Sequence, residues 1–161
     1  MIKAVVGIDI GGTSTKFGIV DRKGQCLGVN SIATGRYRDF DNFSEDLYRE
    51  IQDLIESLSK DINIKGVGVG APNANYYRGT IENAPNLNWN GIVPFVKKFK
   101  KYFLNIPVVL TNDAHAAALG EMFYGLVIFL LCAQRYGQIV MHLRVVLLIF
   151  YKLVKASDGL V

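Results

Sequence analysis

The chain has 161 residues, 18 Lys+Arg against 14 Asp+Glu, 50% apolar residues and two cysteines. That length buries a core without staples, and Cys26 and Cys132, with no CxxC, exclude a disulfide framework or cysteine-rich metal site and predict a reducing, cytoplasmic setting. The net charge of +4 is no nucleic-acid signature, because residues 1–125 carry 14 basic and 13 acidic side chains, and their one dense cluster (Lys97, Lys98, Lys100, Lys101) reads as a solvated helix face.

In chain order, residues 3–9 form an apolar, β-branched run that ends in Asp9. That run is too short and too soon broken for a signal peptide. Gly11 and Gly12 force a tight turn, residues 15–20 read as a returning strand, 21–24 as a polar turn and 27–33 as a third strand. Residues 41–60 form an amphipathic helix with Phe43, Leu47, Ile51, Leu54, Ile55 and Leu58 on one stripe. Asp41 and Ser44 are its candidate N-caps, with Glu45, Asp46 and Glu50 near the positive end of the helix dipole. Residues 64–70 are the next strand, 76–84 a hairpin around Arg78 and Gly79, and 94–103 a helix with Pro94 near its first turn. Residues 107–111 form a buried strand and 114–124 an alanine-rich helix. Strands and helices in this order predict a mixed α/β sheet covered by helices.

Composition changes after Gly125. The first 125 residues hold 14 of the 16 glycines and all four prolines, whereas 25 of the last 36 residues are apolar. The runs 126–133 and 145–151 fall short of the roughly 18 to 20 residues that span a bilayer, so no transmembrane segment is expected. An apolar tail of this kind would expose a large sticky surface, which predicts a homo-oligomer or an aggregation-prone chain. Three readings compete for residues 126–161: an interface, a membrane-peripheral segment, or out-of-frame translation.

Three motifs carry chemistry. The first is the string Asp9-Ile10-Gly11-Gly12-Thr13-Ser14-Thr15-Lys16. Its glycines let backbone pass close to an anion, and turn amides with a hydroxyl cradle phosphate oxygens. Lys16 adds positive charge, and Asp9 at the strand end can hold Mg²⁺ directly or through water. The bland alternative is an ordinary Gly-Gly hairpin. The second motif is Asn112-Asp113 at a strand end that opens a helix, where α/β ligands bind. There the helix N-terminus favours an ionised Asp113, which in reach of a hydroxyl acts as a general base. Either residue alone would read as an N-cap. The third comprises Gly68-Val69-Gly70-Ala71-Pro72-Asn73 and Glu82-Asn83-Ala84-Pro85-Asn86-Leu87-Asn88-Trp89. Asn side chains on such loops donate and accept together, which suits a ligand with many hydroxyls; turn-forming Asn is the alternative. Trp89 reads as core before sugar platform. His142, without further ligands nearby, reads as no metal site.

Taken in order, DIGGTSTKFGIVD, GVGAPN, ENAPNLNW and TNDAHAAALGEMFYG resemble the amino-terminal lobe of a ROK-family sugar kinase over about residues 4–125, and APNLNW looks most like the bacterial glucokinases of that family. The resemblance implies one lobe of an actin-like, ribonuclease-H-type ATPase fold, with ATP and a hexose meeting in a cleft. Asp9, Gly11, Gly12, Thr13 and Lys16 match its first phosphate motif. Asp113 matches the base that takes the proton from the sugar C6 hydroxyl, and Asn112 its sugar-binding neighbour. Asn73, Asn86, Gly70 and Ala71 are weaker sugar-contact candidates. His115 stands where the family often has Asn. ATP and Mg²⁺ are the implied cofactors, glucose the first candidate among hexoses, and polyphosphate an alternative donor.

The resemblance stops after Gly125: the family's second GTGxG loop, its ExGH segment and its zinc-site cysteines are not in this sequence. We therefore expect residues 1–125 to be the lobe, 126–161 to be an out-of-frame tail, and sugar phosphorylation to be weak or lost. Two other classes compete. A ROK-type sugar-responsive transcriptional regulator would carry a winged helix-turn-helix before the kinase-like part, and Asp9 stands too early to leave room for one. An actin-like or chaperone-like ATP-binding fragment would use no sugar.

Overall fold

The computed structural model describes residues 1–58 and 61–112. Strands β1 (Ile2–Ile10) and β2 (Thr15–Asp21) pair antiparallel, and β3 (Cys26–Ile32) pairs antiparallel with β2. A 3₁₀ turn at Thr34–Arg36 leads to helix α1 (Phe40–Ser57), which returns the chain to β4 (Ile62–Ala71), parallel to β1. Three short strands follow: β5 (Ala74–Asn75), β6 (Thr80–Glu82) and β7 (Ile92–Val93). Helix α2 (Phe95–Phe99) tightens into a 3₁₀ turn (Lys100–Tyr102), and β8 (Val108–Asn112) joins β4 in parallel. The main sheet has the order β3-β2-β1-β4-β8, and β5-β6-β7 form a second, small sheet.

β1 sits at the centre of the main sheet, and residues 4–8 are buried without interruption. A strand covered on both faces has this continuous apolar pattern rather than alternation. Phe17, Phe43, Phe95 and Phe99 are the bulkiest fully buried side chains. Phe40, Phe43, Trp89 and Phe95 meet in tilted and edge-on pairs with centroids 4.5–6.2 Å apart, which ties α1 to α2 and to the loop before β7.

Helix α1 starts earlier than its sequence suggests. Asp39, in extended conformation, is the N-cap and accepts from the Asn42 backbone N–H, so Asp41 falls in the first turn. Ser44 lies inside the helix, buried, and donates to the Asp41 carbonyl. The reason is Phe40, which adds a buried position one turn before Phe43 and two before Leu47. The predicted hairpin is also displaced: its arms are β5 and β6, Tyr76 to Gly79 make the turn, and β7 adds a third strand. Pro94 is the N-cap of α2 rather than a residue of its first turn. In the lysine cluster, Lys98 reaches Asp41 at 2.8 Å and Lys101 lies over the Tyr102 ring, while Lys97 and Lys100 are exposed. Among the described residues, no helix is long and apolar enough to cross a membrane.

Candidate functional site

Among the described residues, one register row crosses the five strands of the main sheet. Ser31 on β3 pairs with Lys16 on β2, Lys16 with Asp9 on β1, Asp9 with Gly70 on β4, and Gly70 with Thr111 on β8. One step further, Ala71 pairs with Asn112. Because β1, β4 and β8 run parallel, the row lies at their common carboxyl edge, where ligands of open α/β sheets bind. Asp9 and Lys16 are directly opposite across an antiparallel pair and so share one face of the sheet. Both are half-buried, as is Asn112, whereas Gly70 and Ala71 are buried.

The turn between β1 and β2 closes through the Gly11 N–H donating to the Ser14 carbonyl at 3.1 Å. Neither glycine of this turn has a left-handed backbone; crowding demands them. A β-carbon on Gly11 would stand 2.9 Å from the Ser14 carbonyl oxygen, and one on Gly12 would run into the carbonyl oxygen of Asn86. Asn86 therefore belongs beside the turn as well as on its own exposed loop. The chain that follows β3 closes the other side. The Gly35 N–H donates to the Thr13 carbonyl at 3.4 Å, the Thr15 and Thr34 hydroxyls share a buried hydrogen bond of 2.7 Å, and Asn88 Nδ2 donates to the Gly35 carbonyl at 2.9 Å.

Asn73 takes a left-handed backbone (φ 51°), and its side chain donates to the Asn83 carbonyl at 3.2 Å, so it fastens the loop after β4 to the loop after β6. Trp89 is core: it is buried, packs 4.5 Å from the Phe43 ring, and its indole N–H has no hydrogen-bond partner among the described residues. Thr34 and Gly35 are neighbours of the turn that local sequence signals did not single out, and Asn88, read only as part of the asparagine loop, is a third. The Thr-Gly pair just past the end of β3 was the available hint. Asp113, His115, His142 and Cys132, together with the predicted helix 114–124 and the tail, lie outside the described residues.

Beside the turn, Arg36 donates to the Tyr37 hydroxyl, which donates to Asp46 at 2.8 Å, and Arg49 pairs with Asp46 at 3.2 Å. Burial pushes the Tyr37 phenol up. A cavity of about 510 Å³ opens elsewhere, between the Tyr76–Gly79 turn, Val96, Lys97 and Val108–Leu110 of β8, and it shares no residue with the glycine turn. We place the candidate site at the carboxyl edge because charge, glycines and loop asparagines converge there, while this cavity is open and largely aliphatic and aromatic.

Residues 5–127 match the ROK family. The chain belongs to it. The ROK chain is 34% identical over 121 residues to a glucokinase of Streptomyces coelicolor, a match covering 74% of this chain and 36% of the relative. It thus spans about a third of the length of that relative. Its fold is the actin-like ATPase fold of ROK sugar kinases, and it superposes on a ROK family glucokinase from Streptomyces griseus, solved with glucose and AMPPNP, with a TM-score of 0.58 at 32% identity, covering 76% of this chain and 37% of that one. A xylose repressor of Caldicellulosiruptor bescii is 39% identical over 87 residues, covering 50% of this chain and 21% of the relative. The family's members thus include repressors as well as glucokinases.

Proposed function

We propose that residues 1–125 are the amino-terminal lobe of a hexose kinase that transfers the γ-phosphoryl group of ATP to the C6 hydroxyl of glucose. The observation that carries this reading is the single register row that aligns Lys16, Asp9 and Gly70 at one sheet edge, with Ala71 and Asn112 one step beyond. The amides of the crowded glycine turn and Lys16 bind phosphate oxygens. Asn112, Asn86, Asn73 and the backbone at Gly70 and Ala71 bind sugar hydroxyls. Asp113, next along the chain from Asn112, accepts the proton of the C6 hydroxyl as that oxygen attacks the γ-phosphorus in line, and the bond to the β,γ-bridging oxygen breaks to release ADP. Positioning and charge stabilisation supply most of the acceleration.

A Mg²⁺ ion fits this donor set. Asp9, at the end of β1 beside the turn, offers it a carboxylate, and no cluster of three or more metal-binding side chains occurs among the described residues. Mg²⁺ is commonly held by one or two carboxylates together with substrate phosphates and water. Asp9 would hold it, directly or through water, and the ion would neutralise charge on the phosphates.

The likeness to a xylose repressor keeps a second reading in play, a sugar-responsive regulator without turnover. Binding of Mg²⁺·ADP alongside glucose separates the two. The lone lobe is expected to turn over weakly at most, so the kinase reading expects Mg²⁺·ADP and sugar to bind together, with any release that occurs requiring sugar and Mg²⁺ and abolished by Asp113→Asn with an unchanged circular-dichroism spectrum. Sugar binding by calorimetry without any binding of Mg²⁺·ADP supports the regulator.

A further inference from the structure

The glycine turn is held from two sides by Thr34, Asn86 and Asn88, which lie outside the Asp9–Lys16 string. On one side, Thr34 and Thr15 are 2% and 0% exposed, and their hydroxyls are 2.7 Å apart. On the other, the Asn86 carbonyl presses on Gly12, while Asn88, two residues on, donates to Gly35, whose own N–H donates to Thr13. Turn, 3₁₀ segment and asparagine loop thus form a closed circuit of contacts. Such a circuit fixes the directions of the amides at residues 12–14 before any anion arrives, and a prepaid geometry costs less on binding.

We infer that Thr34 and Asn88 are positioning residues for the nucleotide phosphates, acting through the turn and touching no ligand. The inference rests on the phosphate-binding reading of that turn. Asn88 also stands on the loop assigned to sugar hydroxyls, so the same contact couples the sugar side of the site to its phosphate side.

The test uses the full chain, Mg²⁺·ADP as probe in titration calorimetry, and amide hydrogen exchange of residues 11–14 without ligand. Asn88→Asp removes the donor to the Gly35 carbonyl at an exposed position, so the fold is retained. Thr15→Val with Thr34→Val removes both partners of the buried pair, a change that tends to be nearly neutral for stability. Each is expected to weaken Mg²⁺·ADP binding roughly five- to tenfold and to speed exchange at residues 12–14 while core amides of β1 stay protected. Thr34→Ser, which keeps the hydroxyl, is expected to match wild type. Wild-type affinity and exchange in both variants would overturn the inference, as would faster exchange throughout the core, which marks a purely structural role. Wild-type chain that fails to bind Mg²⁺·ADP overturns the phosphate reading itself, and the inference with it.

Discussion

The carbonyl oxygen of Asn86 occupies the space into which a side chain on Gly12 would grow. Two motifs far apart in sequence, a glycine turn and an asparagine loop, are therefore in contact only because position 12 has no β-carbon. Gly12→Ala must displace the loop, which is itself tied down by the Asn83 N–H donating to Gly91 and the Leu87 N–H donating to Ala84. We expect a loss of about 1–3 kcal/mol of stability and weakened Mg²⁺·ADP binding. Gly35→Ala is the control: its added carbon meets nothing nearer than 3.5 Å, and denaturant unfolding should register a change within about 0.5 kcal/mol.

Asp9→Asn is expected to weaken Mg²⁺·ADP binding at least about tenfold, because the carboxylate offered to the ion is lost. Binding of ADP in EDTA should be nearly the same in both proteins. Equal loss with and without Mg²⁺ would assign Asp9 to the fold or to the nucleotide rather than to the metal.

The start of α1 was only partly legible in the sequence. Asp39, Asp41 and Ser44 all have side chains suited to capping, so composition does not choose among them; the burial of Phe40 does, by extending the stripe one turn back. The β1–β2 hairpin was legible because an apolar run, two glycines and a second apolar run are local signals. The second sheet was not: β5 and β7 have two residues each and exist through pairing with β6, a tertiary event without a periodic trace. At the site, the sequence names the motif residues but not their register. That Asp9 stands beside Gly70, or that Asn88 reaches Gly35, follows from strand order and loop packing.

The cap of α1 predicts a pH dependence. The Asn42 backbone N–H donating to Asp39 holds its carboxyl below the usual carboxylate range. A folded-state value below the unfolded one means that the contribution is present above about pH 4 and is lost as pH falls through the lowered folded value. Asp39→Asn, still a good cap, should flatten the acid limb of a stability-versus-pH curve, and Asp39→Ala should lower the melting temperature at neutral pH. An acid limb of the same slope in Asp39→Asn would show that another group sets it.

Within the aromatic cluster, Phe43→Ala should cost about 3–5 kcal/mol, since the ring is fully buried and meets Tyr37, Phe40 and Trp89. Trp89→Phe should cost less, roughly 1–2 kcal/mol, because it also removes a buried N–H without a partner among the described residues. Tyr77→Ala, at a side chain 95% exposed, should stay within about 0.5 kcal/mol. Chemical denaturation of the three variants gives the ranking, and a Trp89→Phe cost equal to that of Phe43→Ala would show that the indole N–H is satisfied.

The most direct test of a nucleotide and sugar site at the carboxyl edge is a backbone amide NMR spectrum, titrated with Mg²⁺·ADP and then with glucose. The account predicts shifts at Gly11, Gly12, Thr13 and Lys16 with nucleotide, followed by shifts at Gly70, Ala71, Asn86 and Asn112 with sugar. No shifts at these residues, or shifts confined to the cavity beside Tyr76 and Tyr77, would contradict it.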